Sequence, residues 1–338
     1  MMRSPFALSI VVPVYNEEQG LPILFAELER ARAGILAPLG PVEIVFVNDG
    51  SKDRSWEMIA NHCKLAADCV GVNLSRNFGH QLAIAAGLET ARGDAVVTMD
   101  ADMQDPPAVI PLMVDAHRQG YDVVHATRKD RGRESLTKRV TARLFYVLIE
   151  KLSGVAIPRN TGDFRLLSRR ALTELSRLRE THRFLRGLVP WIGFPQTQVY
   201  YDRADRAAGE THYPFRKMLA LAFDGIASMS TKPLRLAYVL SLALFAIFVG
   251  YIFYVLYDHF VRGGVLVPGW TSIMSAITIF GTIQLLLLGV FGEYLGRIYE
   301  QSKNRPLFVI QEIISAPSAP GRLTSTTNAT SAICASPD

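Results

Sequence analysis

Cysteine is scarce in this chain of 338 residues, which carries three of them, Cys63, Cys69 and Cys334. They form neither a CxxC pair nor a cluster with histidines, so a structural zinc or iron–sulfur centre has no support. A disulfide framework is not expected either, and we predict that Cys63 and Cys69 are free thiols in a reducing compartment. No signal-peptide cleavage pattern is present, because the apolar run at residues 7–14 is typical of a core strand.

Charged residues are absent from two long stretches in the C-terminal third, Leu236 to Tyr257 and Gly263 to Gly292. A helix needs about 20 apolar residues to cross a bilayer, and each stretch meets that length. Buried helices of soluble proteins seldom remain uncharged for so long. The sequence therefore predicts two transmembrane helices, at about residues 234–257 and 270–292.

Basic residues slightly exceed acidic ones, with 36 Lys and Arg against 31 Asp and Glu and a net charge of +5. They cluster beside the two predicted spans, whereas Arg262 is the single Lys or Arg in the connecting loop at 258–268. The positive-inside rule then predicts that both termini and the large N-terminal region are cytoplasmic, with the spans in the inner (plasma) membrane. The basic residues do not interleave with aromatic ones, so we expect no nucleic-acid partner.

The N-terminal region alternates β-branched runs with helix-like stretches, and the strand-like runs lie at residues 8–14, 42–47, 70–74, 95–99 and 122–127. This alternation predicts an α/β fold in which helices cover a parallel sheet. Ligands of such sheets bind at the carboxyl ends of the strands. The residues that follow each strand are therefore the candidates for chemistry.

These patterns divide the chain into a cytosolic domain at residues 1–212, a juxtamembrane helix with two transmembrane helices at 213–312, and a disordered tail at 315–338. Amphipathic stretches at 136–152 and 215–226 have basic residues beside their apolar stripes. Their charge favours an interfacial position at the membrane, and packing on the globular domain is the alternative. Ser, Thr, Ala and Pro dominate the tail without periodicity, so we expect no chemistry there.

An acidic cluster, DADMQDPP at residues 100–107, directly follows an apolar strand. Its carboxylates repel one another unless a positive group lies among them. The oxygens of Asp100, Asp102 and Gln104 suit Mg²⁺ or Mn²⁺, which could also hold a diphosphate. A solvated turn that caps the next helix explains Asp105 but not the whole cluster, so we favour a metal site.

Two further loops follow predicted strands, PVYNEE at residues 13–18 and NDGSKD at residues 48–53. Asp49 and Glu17 can accept hydrogen bonds from the N–H of a nucleobase and the hydroxyls of a ribose. Gly50 permits close approach of a ligand to the backbone. Ordinary turn and N-cap chemistry explains each loop alone equally well, but their occurrence in one sheet favours a nucleotide site.

The order of these motifs resembles that of glycosyltransferase family 2, and the residues that carry the resemblance are 13–17, 48–51, 75–80, 100–107 and 162–166. More closely, residues 5–313 resemble the bacterial branch of undecaprenyl-phosphate glucosyltransferases and dolichol-phosphate-mannose-synthase-like enzymes. The resemblance implies a GT-A (Rossmann-like) catalytic domain and a nucleotide-sugar donor. It also implies Mg²⁺ or Mn²⁺, a polyprenyl phosphate acceptor in the lipid bilayer, and a homo-oligomer such as a tetramer.

Carried over position by position, the resemblance implies three groups of site residues. The nucleotide would be held by Pro13, Tyr15, Glu17, Asp49, Arg76 and Asp100. The metal would be held by Asp102 with Asp100 and Gln104, and the catalytic residues would be Asp102 and Asp163. The diphosphate or the acceptor phosphate would lie near Arg128, Arg131 and Arg206. The chain departs from the family pattern at His212, where Lys is common, and at Asn48, where Asp is frequent.

The chemistry of a phosphate acceptor follows from its charge. A phosphate monoester has its second pKa near 6, so at neutral pH it is mostly a dianion and needs little help from a base. Asp163 is the base that the family resemblance implies, yet it could instead orient the acceptor, stabilise positive charge at the sugar, or pair with Arg165. In-line attack at the anomeric carbon would invert the configuration, so an α-linked donor would yield a β-linked lipid monophosphosugar.

The sequence leaves the sugar and some rival functions open. UDP-glucose is the preferred donor, and the alternatives are UDP-galactose, UDP-GlcNAc, GDP-mannose and a UDP-aminoarabinose. The product would serve cell-envelope glycosylation, such as lipopolysaccharide modification. A processive polysaccharide synthase is less favoured because residues 183–191 lack the Gln-x-x-Arg-Trp motif and two spans are few for a polymer channel. A non-catalytic membrane scaffold is disfavoured because Asp100, Asp102 and Asp163 are all retained.

Overall fold

The computed structural model describes residues 6–128, 161–202, 230–262 and 269–316. Outside the described residues lie Arg131, Arg206 and His212, both amphipathic stretches, and nearly all of the predicted tail. The roles predicted for these parts of the chain stay predictions.

Strands and α-helices of the described residues are numbered here in chain order. The strands are β1 (Leu8–Val14), β2 (Val42–Asn48), β3 (Cys69–Leu74), β4 (Ala95–Thr98), β5 (Val123–Arg128), β6 (Thr161–Ser168), β7 (Gln196–Tyr201) and β8 (Ile310–Ser315). The helices are α1 (Leu21–Ala33), α2 (Ser55–Leu65), α3 (His80–Thr90), α4 (Ile110–Arg118), α5 (Arg169–Arg177), α6 (Leu185–Trp191), α7 (Lys232–Arg262) and α8 (Trp270–Ser302).

One sheet contains all eight described strands, in the order β7-β5-β6-β4-β1-β2-β3-β8. The central strands β4, β1, β2 and β3 run parallel to one another. Every residue of these four strands is buried, as expected where helices cover both faces of a parallel sheet. The predicted strands β1 to β5 are confirmed, with ends that differ by at most one residue.

The prediction of a parallel sheet is wrong at two places. Strand β6 is antiparallel to both β4 and β5, and β8 is antiparallel to β3. The sheet is therefore mixed. Neither strand was among those predicted, because alternation of strands and helices indicates elements but carries no information about a strand that inserts from elsewhere in the chain.

Two long helices, α7 and α8, form the C-terminal hairpin and expose many large apolar side chains. Phe248 and Phe280 meet edge to face across the hairpin, with ring centroids 5.9 Å apart. Among the described residues one helical stretch, Ile279–Ser302, is long and apolar enough to cross a membrane, whereas the apolar stretch in α7, Ser241–Tyr251, is shorter. The second span stays a prediction.

The chain returns from this hairpin to the N-terminal sheet. Strand β8 forms an edge of the sheet beside β3, and the Ser75 N–H donates to the Val309 carbonyl at 2.9 Å. The predicted partition assigned residues up to 312 to the membrane part. That boundary is wrong for β8, because its backbone hydrogen bonds are made with the sheet.

Cys63 and Cys69 are joined by a disulfide in the structure, so the prediction of free thiols is wrong. The end of α2 and the start of β3 bring the two Cα atoms within 4.9 Å, a separation that a disulfide can span. Sequence spacing alone did not indicate this proximity. The argument for a reducing compartment therefore loses its support from unpaired cysteines.

Candidate active site

A cavity of about 200 Å³ opens at the carboxyl ends of β1 and β2. It is lined by Pro13, Val14, Tyr15, Asp49, Asn77, Gly79, His80 and Ala83. Three of the residues predicted to hold a nucleoside, Pro13, Tyr15 and Asp49, thus lie together at one cavity. Glu17 and Arg76, predicted for the same task, are not among its lining residues.

Hydrogen bonds between the two loops fix the wall of this cavity. Asn16, which has a positive φ of 54°, donates its N–H to Ser51 Oγ and accepts from the Lys52 N–H at 2.8 Å. The Glu17 N–H donates to Ser55 Oγ at 2.9 Å. The loops after β1 and β2 are therefore held to each other before any ligand binds.

Asp49 organises the third loop, residues 75–79. Its carboxylate accepts from the Phe78 N–H at 2.7 Å and from the Gly79 N–H at 3.0 Å, while burial raises its pKa. Gly50 has a φ of 63°, and a Cβ there would lie 2.4 Å from the Arg76 carbonyl carbon. Only glycine fits this close approach, so Asp49 and Gly50 together determine the position of the loop.

The acidic loop follows β4, as predicted, and turns sharply at Met103, which has a φ of 61°. Asp102 Oδ1 accepts from the Gln104 N–H at 3.1 Å. Two oxygens of this loop, Asp100 Oδ1 and Gln104 Oε1, are buried and accept no hydrogen bond from the described residues. Burial raises the pKa of Asp100 to about 6, because its negative charge is separated from water.

These oxygens fit a divalent cation. Buried oxygens that accept no hydrogen bond are rare in proteins and call for a donor or a positive ion, and near Asp100 Oδ1 the described residues supply only His80 Nε2, at 3.4 Å. No three His, Cys, Asp or Glu side chains cluster as metal ligands within the described residues. A cation at Asp100 and Asp102 would thus need the Gln104 amide and oxygens from a bound diphosphate, which is the coordination that Mg²⁺ prefers.

Asp105, in the same loop, contacts Arg128 and Tyr201. Tyr201 on β7 donates its hydroxyl hydrogen to Asp105 Oδ1 at 2.6 Å, and Arg128 Nε donates to the Tyr201 hydroxyl at 3.3 Å. Burial and the neighbouring Asp105 raise the pKa of Tyr201 to about 12. Arg128, predicted to contact a phosphate, is therefore held in place by β7 at the end of β5.

Asp163 lies near the start of β6 and is surrounded by donors. Arg165 Nη2 lies 2.7 Å from Oδ1, and Arg186 donates from Nη2 to Oδ2 at 3.0 Å. Gln81 Nε2 donates to Oδ2 at 3.1 Å, and His80 Nε2 lies 3.4 Å from the same oxygen. These donors outweigh burial and hold the pKa of Asp163 far below its usual range.

His80 connects the two acidic groups. Its Nε2 lies 3.4 Å from Asp100 Oδ1 as well as from Asp163 Oδ2. The carboxylates raise the pKa of His80 despite its burial. The cavity at the ends of β1 and β2, the acidic loop and Asp163 therefore meet at one imidazole.

Sequence reasoning missed Gln81, Arg186 and the role of His80. His80 is in a motif that the sequence had singled out, but no spacing rule pointed to its two acidic neighbours. Gln81 and Arg186 lie on helices 82 and 23 residues away from Asp163, so their convergence depends on the tertiary fold. The buried charge of Arg165 within the apolar run FRLL at 164–167 was the signal available.

The mixed sheet places a cavity and an acidic loop side by side at the carboxyl ends of its parallel strands. The glycosyl transferase family 2 model matches residues 9–176, and the GtrB C-terminal hairpin model matches residues 232–298. The chain belongs to glycosyltransferase family 2, with the GT-A fold.

Similar proteins extend over nearly the whole chain. An uncharacterized glycosyltransferase of Bacillus subtilis, YkcC, is 44% identical over 304 residues, covering 90% of this chain and 93% of the relative. The bactoprenol glucosyl transferase of Shigella phage SfV is 40% identical over 304 residues, covering 90% and 98%. A solved structure of glucosyl-3-phosphoglycerate synthase from Mycobacterium tuberculosis, with Mn²⁺, UDP-glucose and phosphoglyceric acid, has a TM-score of 0.44 and 20% identity, covering 66% of this chain and 78% of that one.

Proposed function

We propose that this glycosyltransferase moves one sugar from a nucleotide-sugar, with UDP-glucose as the preferred donor, to a polyprenyl phosphate. The observation that carries the proposal is the similarity to bactoprenol glucosyl transferases through both the catalytic domain and the C-terminal hairpin. The product is a lipid monophosphosugar for cell-envelope glycosylation.

The reaction needs one bond to form and one to break. A phosphate oxygen of the acceptor attacks the anomeric carbon, and the bond from that carbon to the nucleotide diphosphate breaks, with its electron pair leaving on the diphosphate. Attack from the opposite face inverts the configuration. The acceptor dianion has no proton to lose, so the reaction balances without a base.

The residues of the chain divide this work. Pro13, Tyr15 and Asp49 hold the nucleoside in the cavity at the ends of β1 and β2. Asp100, Asp102 and Gln104 hold Mg²⁺ or Mn²⁺, which when bound neutralises charge on the leaving diphosphate. Arg128 lies beside the same loop, where its guanidinium can contact phosphate oxygens.

Two features of the hairpin support action at a membrane. Apolar side chains cover both α7 and α8, and the basic residues lie beside their ends. We infer two spans, a cytoplasmic catalytic domain and cytoplasmic termini in the plasma membrane. A homo-oligomer packed through the hairpin belongs to the same proposal.

The proposal is tested by extraction of labelled lipid. Membranes that contain the protein are incubated with undecaprenyl phosphate, Mg²⁺ or Mn²⁺, and radiolabelled UDP-glucose, UDP-galactose, UDP-GlcNAc, GDP-mannose or UDP-aminoarabinose. We expect one donor to transfer label to the organic phase, and Asp102→Asn to abolish that transfer. Asp115→Asn is the matched control, because Asp115 is exposed on α4 and pairs only with Arg118 among the contacts of the described residues.

Two results would contradict the proposal. Transfer that is unaffected by EDTA and by Asp102→Asn would remove the metal site. Membranes in which no donor labels the lipid, although the protein binds UDP, would exclude a polyprenyl phosphate as acceptor and favour the scaffold or synthase alternatives.

A further inference from the structure

The Gln301 side chain, at the end of α8, binds a segment of the catalytic domain. Its Oε1 accepts from the Thr181 N–H at 2.8 Å and from the Thr181 hydroxyl at 3.0 Å, and its Nε2 donates to the Arg179 carbonyl oxygen at 2.9 Å. Beside it, His182 Nε2 lies 2.7 Å from Glu300 Oε2, an exposed pair that contributes little by itself. Both ends of the Gln301 amide are thus used on one segment of the catalytic domain.

The catalytic domain anchors this segment, residues 179–182, independently of α8. Arg183, whose side chain is 2% exposed, follows the segment and donates from Nη2 to the carbonyl oxygens of Leu175 and Leu178, both at 2.8 Å. Hydrogen bonds from a buried guanidinium stabilise the connection between α5 and α6. The segment therefore keeps its place in the domain without Gln301, and what the bonds of Gln301 add is its attachment to α8.

Four residues after Thr181 the chain reaches the group of residues around Asp163. The Leu185 N–H donates to Gln81 Oε1 at 3.2 Å, and the Leu185 carbonyl oxygen accepts from Arg165 Nη1 at 3.3 Å. Gln81 and Arg165 both donate to the Asp163 carboxylate. The attachment of α8 therefore lies within a few residues of the candidate active site.

The end of α8 that carries Gln301 lies on the same side of the membrane as the catalytic domain. Strand β8 follows α8 in the chain and pairs with β3, so this end of the helix and the sheet cannot be on opposite sides. The apolar stretch Ile279–Ser302 has 24 residues, or about 36 Å, against about 30 Å for the hydrocarbon core. Gln301 would therefore lie at the level of the lipid headgroups, which is also the level of the phosphate of a membrane-bound acceptor.

The other attachment of the C-terminal part of the chain is distant from Asp163. Strand β8 lies five places along the sheet from β6, which carries Asp163. Neighbouring strands lie about 4.8 Å apart, so β8 and β6 are separated by about 24 Å. A domain that is held at one edge alone can tilt about that edge. The bonds of Gln301 hold the part of the domain that such a tilt would move toward or away from the membrane.

We propose that Gln301 is a positioning residue for transfer to a membrane-bound acceptor, because its attachment to residues 179–182 holds the reaction centre at the level of the acceptor phosphate. The inference rests on the proposed function, since it concerns the approach of a lipid acceptor. Gln301 contacts neither substrate and takes part in no bond that forms or breaks. Its loss should therefore impair the encounter with a lipid in the bilayer and leave the donor site and the chemistry intact.

The test compares an acceptor in the bilayer with one that arrives from solution. Full-length protein in phospholipid vesicles transfers sugar to undecaprenyl phosphate in the same bilayer, and geranyl phosphate is added from solution as a competitor. We expect Gln301→Leu to raise the KM for undecaprenyl phosphate about fivefold or more and to leave kcat, the donor KM and the Ki of geranyl phosphate within about twofold of the wild type. Gln301→Glu keeps the oxygens that face Thr181 but loses the donor to Arg179, so its KM should be intermediate.

Gln311→Leu is the matched control. Gln311 is also an exposed glutamine of the C-terminal part, but it lies on β8, at the far edge of the sheet. We expect its KM for undecaprenyl phosphate to equal that of the wild type. The same KM for the wild type and Gln301→Leu would overturn the proposal. A parallel loss of kcat or of geranyl phosphate binding would overturn it too, because Gln301 would then act on the reaction centre itself.

A double-mutant cycle tests the contact through which Gln301 acts. Thr181→Val removes the hydroxyl donor and keeps the N–H, so we expect a smaller rise in the KM for undecaprenyl phosphate. In the Gln301→Leu background the same substitution should change nothing further, because its partner is already absent. Fully additive effects of the two substitutions would refute a route through Thr181 and, with it, the proposal.

Hydrogen exchange separates this inference from the proposed function. The Thr181 amide donates to Gln301, so residues 179–182 should take up deuterium faster in Gln301→Leu than in the wild type or in Gln311→Leu, with no substrate present. If this difference is found while no donor labels the lipid, the attachment is retained and the proposed function is refuted. Equal uptake in the three proteins, together with normal transfer to lipid, would retain the function and refute the attachment.

Discussion

Asp100 and Asp163 each lie 3.4 Å from the same atom, His80 Nε2, yet the pKa of Asp100 is raised and that of Asp163 is lowered. Asp100 has a buried oxygen that accepts no hydrogen bond from the described residues, and burial raises its pKa to about 6. Asp163 is surrounded by donors that lower its pKa. Among the described residues, His80 is the basic group within ion-pair distance of Asp100, whereas Asp163 also contacts Arg165, Arg186 and Gln81.

Removal of charge from the acidic loop should have the largest effect. We expect Asp100→Asn to lower turnover about a thousandfold, roughly 4 kcal/mol in the activation barrier, because the charge of the leaving diphosphate is less well neutralised. Single-turnover rates over a range of Mn²⁺ concentrations measure this. Full activity of Asp100→Asn at saturating Mn²⁺, with Asp115→Asn as the reference, would show that the two carboxylates do not differ as described.

Loss of the buried arginine should affect stability next most strongly. Arg165→Met leaves Asp163 buried with less compensation, and we expect a loss of about 3 to 5 kcal/mol. Arg186→Met removes a partly exposed partner and should cost about 1 kcal/mol or less. Denaturant unfolding of the two variants beside Arg177→Met, which changes an exposed arginine on α5, measures the difference. Equal destabilisation by both would mean that Arg186, too, is needed for folding.

A third test uses His125, a buried neighbour of Arg165 on β5. Burial and then the charge of Arg165 lower its pKa to about 4, so the folded protein keeps the imidazole neutral. The unfolded chain binds a proton near the ordinary pKa of about 6.5. Stability should therefore fall as the pH drops from about 6.5 to about 4 and not change further from this group below that.

The contribution of His125 is on the order of 2 to 3 kcal/mol over that range. His125→Gln cannot take up the proton, so its unfolding free energy should depend less steeply on pH across the same window. Denaturant unfolding at several pH values measures both slopes. Identical slopes for the wild type and the variant would exclude the buried neutral imidazole.

The smallest effects on stability are expected from substitutions of two glutamines, Gln81 and Gln104. Gln81 donates to Asp163 and accepts from the Leu185 N–H, so Gln81→Leu should cost about 1 kcal/mol of stability. Gln104 Oε1 accepts nothing from the described residues, so Gln104→Leu should cost no stability but should weaken the dependence of activity on Mn²⁺. Thermal unfolding and metal titration distinguish the two. A stability loss for Gln104→Leu equal to that of Gln81→Leu would contradict the contrast.

The sequence predicted the acidic loop better than it predicted the group of residues around Asp163. The acidic loop is local: its carboxylates are close in the chain and follow an apolar strand, so their proximity was predictable. The Asp163 group is assembled from β6, α3 and α6, and no periodicity joins Gln81, Asp163 and Arg186. A long-range arrangement of this kind depends on how strands insert into the sheet.

The strength of the local burial pattern also explains which strands could be predicted from the sequence. Strands β1 to β4 are continuous apolar runs buried on both faces, which is a strong pattern. Strand β7 is only partly buried, and β8, which follows a long apolar helix, is mostly exposed. Neither strand has a buried apolar run that would have assigned it to the sheet from sequence.

Strand β8 has a practical consequence for dissection of the molecule. A fragment that ended before the hairpin would leave the edge of β3 open, with the unpaired backbone groups of an edge strand as a template for aggregation. A well-behaved soluble fragment would have to restore that edge, either by a flexible linker from residue 202 to residue 306 or by a separate peptide of residues 306–316. The solubility of the fragment with and without this peptide would then show whether the sheet needs β8 at the edge of β3.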